Sequence, residues 1–255
     1  MLFGGSDFII DTMKTIKNLV EYYDELFPVT ETKKKFYADF SRNSRTPIHY
    51  LSIDCGTGFL ESSLARDGHD VTGVENVEEL LESANLRRRN QLMSIRFFQM
   101  EKQDMVKFLG KSFYNVISIL NSRLMFLSNA DALGNFFCDC RKLLAEDGCL
   151  VIEQDNFENH ETDHLFQLPR RESVRSRLFS EVILGDDGKR TLSVNLENSS
   201  DKILPVIKDV PVYPVTPSEI EHFAEEAGFS SAEFYADFDR SEFTGNEEKF
   251  VVIIK

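Results

Sequence analysis

The chain has 255 residues, 42% of them hydrophobic, which is enough for one sizeable core and, on length alone, a single domain. A formal net charge of −14 and a sequence pI near 4.9 set the protein against polyanions, so DNA and RNA are poor partners and small or basic molecules better ones. Four cysteines without zinc-ribbon spacing, no apolar run of membrane-spanning length, and a start (Met1-Leu2-Phe3-Gly4-Gly5) without the basic-then-apolar layout of a signal peptide point to a reduced, cytoplasmic setting and no membrane attachment.

The first predicted element is helical, Leu19 to Arg42, and carries Tyr22, Tyr23 and Phe27, with Lys33, Lys34 and Lys35 on a polar face; residues 1–47 read as an N-terminal helical cap. From Ile48 to Glu153 short apolar strands alternate with amphipathic helices, the layout of a parallel sheet covered on both faces. Strands are expected at Ile48–Ile53, Asp70–Val74, Ile95–Gln99, Asn115–Leu120 and Cys149–Glu153. Between them, Phe59–Arg66 ends at Gly68, Asn76 caps a helix running to about Arg89, and Ala130 to Leu144 precedes the fifth strand. Arg87-Arg88-Arg89 reads as helix surface. Residues 48–156 thus form a core, and residues 157–215 an insert too long for a plain connection. Period-two runs in the insert, Arg177–Leu184 and Arg190–Leu196 joined by Gly185-Asp186-Asp187-Gly188, predict a β-hairpin that is either a lid over the ligand end of the sheet or a homodimerisation arm. Residues 216–255 open on Thr216-Pro217-Ser218-Glu219, a capping box with proline at the first helical position; the helix closes at Gly228, and Ser231–Tyr235 and Phe250–Ile254 follow as strands.

The most informative stretch is Tyr50 to Leu60, where an apolar strand empties into Asp54-Cys55-Gly56-Thr57-Gly58 just before a helix. Glycines there let backbone approach a ligand, and the N–H groups of the following helix point into the same space. Glu75 closes the next strand 21 residues after Asp54, the separation expected for an acid that binds ribose hydroxyls. A dinucleotide fits poorly: the third glycine of G-x-G-x-x-G would fall at Glu61, and Asp54 would face a pyrophosphate it repels. S-adenosylmethionine, with an ammonium, a sulfonium and no phosphate, suits an acid at the strand tip.

The D-x-G-x-G-x-L form, Asp54 to Leu60, resembles motif I of the class I S-adenosylmethionine-dependent methyltransferases, with Leu60 standing where that family often has a third glycine. The resemblance implies a Rossmann-like, doubly wound, mostly parallel seven-stranded sheet with an antiparallel last strand, here with a β-rich lid insertion. It also implies cofactor contacts from Asp54, Gly56, Gly58, Glu75, Asn76, Glu101, Lys102 and Asn121. Glu101 takes the adenine amino group and the Lys102 backbone approaches the ring, although Asp104-Met105 has a similar composition. The segment Leu120-Asn121-Ser122 is similar to the L-x-N-S of small-molecule N-methyltransferases of the glycine N-methyltransferase type, whose element order also matches. Two departures count against glycine as the acceptor: Met125 replaces a polar residue, and the family's arginine after strand five falls at about Asp155, so a substrate carboxylate loses its basic partners. The expectation is methyl transfer to a small-molecule acceptor, an amine nitrogen first, with Tyr23 or Asp155 relaying the proton.

Other chemistries are weighed by their own signatures. Leu120-Asn121-Ser122-Arg123 lacks the Asn/Asp-Pro-Pro-aromatic loop that holds a flipped base. It also lacks the paired glutamates of the protein arginine enzymes and the acid that catechol-type enzymes need, together with an Asp-Asn pair such as Asp155-Asn156, to hold Mg²⁺. His160-Glu161-Thr162-Asp163-His164 matches H-E-x-x-H, so a zinc hydrolase is the alternative from another class, but the stretch lies in a polar insert and no third ligand is evident. No metal is expected. The basic run Arg170, Arg171, Arg175 and Arg177 reads as a solvated face balancing nearby acids, and a non-catalytic cofactor-binding module is the remaining alternative.

Overall fold

The computed structural model describes residues 16–42, 44–88, 94–160 and 162–255; Met1–Gly5, Arg89 and Glu161 lie outside them. The chain divides into two compact units, one of Met1–Pro28 with His160–Pro214 and one of Val29–Asn159 with Val215–Lys255. The expected helix from Leu19 to Arg42 is therefore two elements in different units. Helix Tyr23–Leu26 stops before Pro28, and helix Glu31–Ser41 restarts where the Thr30 side chain accepts the Lys33 N–H.

The larger unit holds a seven-stranded sheet in the order β11-β12-β5-β4-β1-β2-β3. Its strands are β1 (His49–Ile53), β2 (Asp70–Glu75), β3 (Ile95–Gln99), β4 (Tyr114–Ile119), β5 (Leu144–Asp155), β11 (Ala232–Tyr235) and β12 (Lys249–Ile254). The first five are parallel, and β12 runs antiparallel to both β5 and β11. The fifth strand is longer than predicted at both ends: its register on β4 jumps from Tyr114 opposite Leu144 to Val116 opposite Cys149, and Gln154 and Asp155 still pair with Phe250 and Lys249.

Strands buried on both faces read as continuous apolar runs, and β1, β4 and β5 do so because helices cover them. On one side Phe36, Tyr37, Leu60, Leu64 and Ala84 pack with Tyr50, Val71, Val116 and Val151. Burying each such large side chain stabilises the fold by roughly 1.5–3 kcal/mol before chain entropy is counted. The helix Phe59–Arg66 has the predicted bounds, and Gly68, at φ +93°, closes it with the His69 N–H returning to Leu64 O. The helix Glu78–Arg88 starts later than predicted. Its first helical bond, Leu81 N–H to Val77 O, makes Val77 the cap instead of Asn76. At Pro217–Glu226 the capping box is complete, with Thr216 Oγ1 and Glu219 Oε2 each accepting the other residue's N–H.

In the smaller unit β8 (Ser176–Leu184) and β9 (Arg190–Asn198) form the predicted hairpin, extended by β10 (Ile203–Val212) on one side and by β6 (Leu165–Gln167) and β7 (Arg171–Glu172) on the other. The β10 strand is not expected from the sequence because two register shifts break its alternation; at one of them Ser193 Oγ donates to Asp209 Oδ1 and accepts the Asp209 N–H.

Candidate functional site

In an open α/β sheet a ligand sits outside the carboxyl ends of the strands where the strand order reverses, here between β1 and β4. At the tip of β1 three residues in five adopt left-handed backbone: Asp54 (φ +52°), Gly56 (+60°) and Gly58 (+71°). Neighbouring elements hold this loop. The Cys55 N–H donates to Val74 O at 3.1 Å, the Gly56 N–H to Glu75 Oε2 at 2.8 Å, and Arg87 Nε to Thr57 O at 3.2 Å. Arg87 is thus a half-buried brace of the loop, not the plain helix surface that the sequence suggests.

The reason for glycine at position 58 also differs from expectation. A Cβ there would lie 2.5 Å from Phe97 Cζ, and one at Gly73 would lie 2.6 Å from Phe97 Cδ1. The Phe97 ring, rising from β3, packs against both bare backbones and sets the height of the loop over β2. Gly73 and Phe97 escape sequence reasoning because their relation exists only once β2 and β3 are paired.

Glu75 is buried, and its two oxygens already serve the protein: Oε2 takes the Gly56 N–H and Oε1 the Val77 N–H at 2.9 Å. Burial, and then the nearby Asp54 charge, push its pKa up, while Arg123 and the two N–H bonds oppose the shift. A carboxylate has about four lone-pair sites, so two remain for a ligand. Asp54 makes an ion pair with Lys102, from the loop after β3, with side-chain exposures of 11% and 18%.

A second polar group gathers where β4 and β5 end. Asn121 and Ser122 are both left-handed (φ +57° and +58°), which turns the chain back toward β5. The Asn121 N–H approaches Glu153 Oε2 at 3.4 Å, and the Ser122 N–H donates to Glu153 O. Ser122 Oγ donates to Asp155 Oδ2 at 2.6 Å and accepts the Asp155 N–H at 2.8 Å. Glu153 Oε2 also accepts from Lys33 Nζ at 3.0 Å, and that ammonium lies 4.5 Å from the Phe238 ring centre. Lys33 is therefore buried and not on the polar face predicted for it, because helix Glu31–Ser41 packs that side onto the sheet. Asn156 bonds to the carbonyls of Gly245 and Glu247.

Glu101 is exposed and Asp104 pairs with Lys107 at 2.6 Å. Both line a cavity of about 650 Å³ with Asn76, Gln99, Met100 and the Phe98 ring. Asn76 O also accepts from Gln99 Nε2 at 3.3 Å, tying the ends of β2 and β3.

Tyr23 belongs to the smaller unit, where it is buried and stacked on Phe27 at 4.7 Å. In that unit the guanidinium groups of Arg171 and Arg175 lie over Phe27 and Tyr22. The basic run is balanced by acids: Arg175 by Glu21 and Glu25, Arg170 by Glu172, Arg177 by Glu197. His160 ends a 3₁₀ turn, Glu158–His160; its Nδ1 contacts Asp163 Oδ2 at 2.8 Å and its ring stacks on Phe166. Among the described residues of this stretch, His160 lies in the 3₁₀ turn and Thr162–His164 are not helical, so none of them presents a ligand from an α-helix. Among the described residues no cluster of three or more His, Cys, Asp or Glu side chains is arranged to hold a metal, and no helix is long and apolar enough to cross a membrane.

Residues 51–148, β1 through the start of β5, match the family described as a methyltransferase domain. A protein of Geobacillus sp. (strain WCH70) that carries a methyltransferase name is 28% identical over 225 residues, 80% of this chain and 83% of its own. The fold is shared with the CcbJ methyltransferase of Streptomyces caelestis (TM-score 0.74, 19% identity, 93% and 95% of the two chains). It is also shared with S-adenosylmethionine-bound CalS10, an amino pentose methyltransferase of Micromonospora echinaspora (TM-score 0.64, 15% identity, 92% and 96%). The family match across the motif-bearing strands, the Geobacillus relative and the seven-stranded fold with its antiparallel end strand together support an S-adenosylmethionine-dependent methyltransferase of class I.

Proposed function

We propose that the protein methylates an amine nitrogen of a small molecule, in a site built on the carboxyl ends of β1 to β5. The observation that carries this reading is the Asn121-Ser122/Glu153-Asp155 group at the ends of β4 and β5: Glu153 is balanced by Lys33, and Asp155 is a second buried acid, held by Ser122, which favours a basic nitrogen over a substrate carboxylate. CalS10, a methyltransferase for an amino sugar, supports the same class of acceptor.

The residues present fit the cofactor. The cavity at Asn76, Gln99, Met100 and Glu101 has room for an adenine ring between an apolar wall and an acid, and Glu75 retains two acceptor sites for two ribose hydroxyls. In this reading Asp54, Gly56 and Gly58 hold the methionyl end, and Glu101 with the Lys102 backbone holds the adenine. When bound, S-adenosylmethionine supplies the electrophilic methyl. The protein's contribution is alignment, exclusion of water and removal of the amine proton, for which Asp155 is the chosen acceptor and Tyr23 the alternative. Ser122 fixes the Asp155 carboxylate in one orientation.

The test is transfer of labelled methyl from S-adenosylmethionine to a panel of amino sugars and other small amines. Turnover on at least one amine is expected, undiminished by EDTA, and reduced at least about 100-fold by Asp155→Asn. Transfer only to hydroxyl or carbon acceptors rejects the amine; full activity in Asp155→Asn with loss in Tyr23→Phe moves the proton acceptor to Tyr23; activity lost to EDTA and restored by Mg²⁺ gives Asp155 and Asn156 a metal role.

Cofactor binding is tested separately at Glu75. Glu75→Ala removes a charged acceptor from two ligand hydroxyls and is expected to weaken S-adenosylhomocysteine binding by roughly 1.5–3 kcal/mol per bond lost. It also strands the Gly56 and Val77 N–H groups, so the melting temperature should fall as well. Unchanged affinity by calorimetry in a folded variant means that another group holds the ribose.

A further inference from the structure

The residue after Glu101 in this chain is a lysine, and its side chain does not run into solvent. Its ammonium is paired with Asp54, from which it is separated in the sheet by all of β2. The pair therefore bridges the carboxyl end of β2, where Glu75 is buried, and closes the row of strand-tip acids with a positive charge. The Asp54 charge adds to the upward push that burial gives Glu75, and Arg123 is the further cation acting on Glu75, in the opposite sense.

We infer that Lys102 is a specificity-determining residue of the cofactor site: its ammonium sets the relative affinity for S-adenosylmethionine and S-adenosylhomocysteine, against the former. The inference rests on the proposed reading that Asp54 faces the charged methionyl end of the cofactor. The two ligands share the adenosine, the carboxylate and the ammonium, and they differ by one methyl group and the positive charge on sulfur. Competition between the ligand ammonium and Lys102 for Asp54 is therefore the same for both. The sulfonium charge alone makes the difference, and a lysine tethered at the next strand tip repels it while leaving the thioether unaffected. At short range and the intermediate dielectric of a half-buried site, such a repulsion amounts to on the order of tenfold in affinity.

The test is calorimetric titration of the full-length protein with S-adenosylmethionine and with S-adenosylhomocysteine, at low salt, for the wild type and for Lys102→Met, Lys102→Arg and Asp54→Asn, with thermal melts to establish that each is folded. Lys102→Met keeps the side-chain length and the backbone N–H; it is expected to shift the affinity ratio toward S-adenosylmethionine on the order of tenfold, whereas Lys102→Arg keeps the wild-type ratio. A ratio unmoved in Lys102→Met, while Asp54→Asn weakens both ligands, overturns the role of Lys102 alone. A ratio unmoved in Lys102→Met with wild-type binding in Asp54→Asn overturns it together with the reading on which it rests.

Discussion

Lys33→Ala is expected to cost about 3–5 kcal/mol of stability, the range for removing one partner of a buried ion pair. The Lys33 and Glu153 side chains are 10% and 7% exposed, and their charged atoms are 3.0 Å apart. Taking away the ammonium leaves Glu153 in a site that solvates a carboxylate mainly through the Asn121 N–H and the remaining polar neighbours. Truncation also removes the aliphatic stem that packs beside Phe238. Neutralising both partners, as in Lys33→Met with Glu153→Gln, should recover more than half of the loss, because no charge is then left to desolvate. Urea denaturation of the three proteins decides the matter. A single-variant loss below about 1 kcal/mol, typical of exposed pairs, would mean that the lysine is solvated and the helix Glu31–Ser41 is held by its aromatic side chains alone.

The second large effect depends on pH. Glu61, in the first turn of the helix after the glycine loop, is buried, and burial pushes its pKa up to about 7 from an ordinary 4.5. The Ser52 hydroxyl, the helix N–H and Lys33 pull the other way, and Glu75 adds to the rise. With its folded pKa above the unfolded one, the folded state binds more protons between these values. The stability from protonated Glu61 is thus fully present below 4.5 and is lost as the pH rises through about 7. Glu61→Gln removes the titration. The variant should gain on the wild type by about 3 kcal/mol between about pH 4.5 and about pH 7.5, with no further change above. Stability measured at about pH 5 and about pH 8 for both proteins checks this; a difference that does not vary with pH would show that Glu61 ionises normally in the folded state.

Much of this protein is legible in its sequence. The strand-loop-helix at Asp54 to Arg66, the acid closing β2, the capping box at Thr216 and the β8–β9 hairpin are all local: each is specified by residues within a few positions of one another, through periodicity, glycine at positive φ or a side chain capping its own helix. Other features needed distant segments to meet. That Gly58 and Gly73 clear the Phe97 ring follows from the pairing of β2 with β3. Lys33 became buried because its helix packs on β5, Arg87 became a brace because its helix ends beside the glycine loop, and Lys102 reached Asp54 across β2. The break in the helix expected over Leu19 to Arg42 is local, at Pro28 and the Thr30 cap, but that its two parts belong to different units is not readable from sequence. Sequence pattern determines which residues are apolar, which turn the chain and which strand tips carry acids. Which charge meets which acid was decided by the sheet order, because electrostatic pairing depends on distance in space, and sequence separation carries no information about distance once strands cross over.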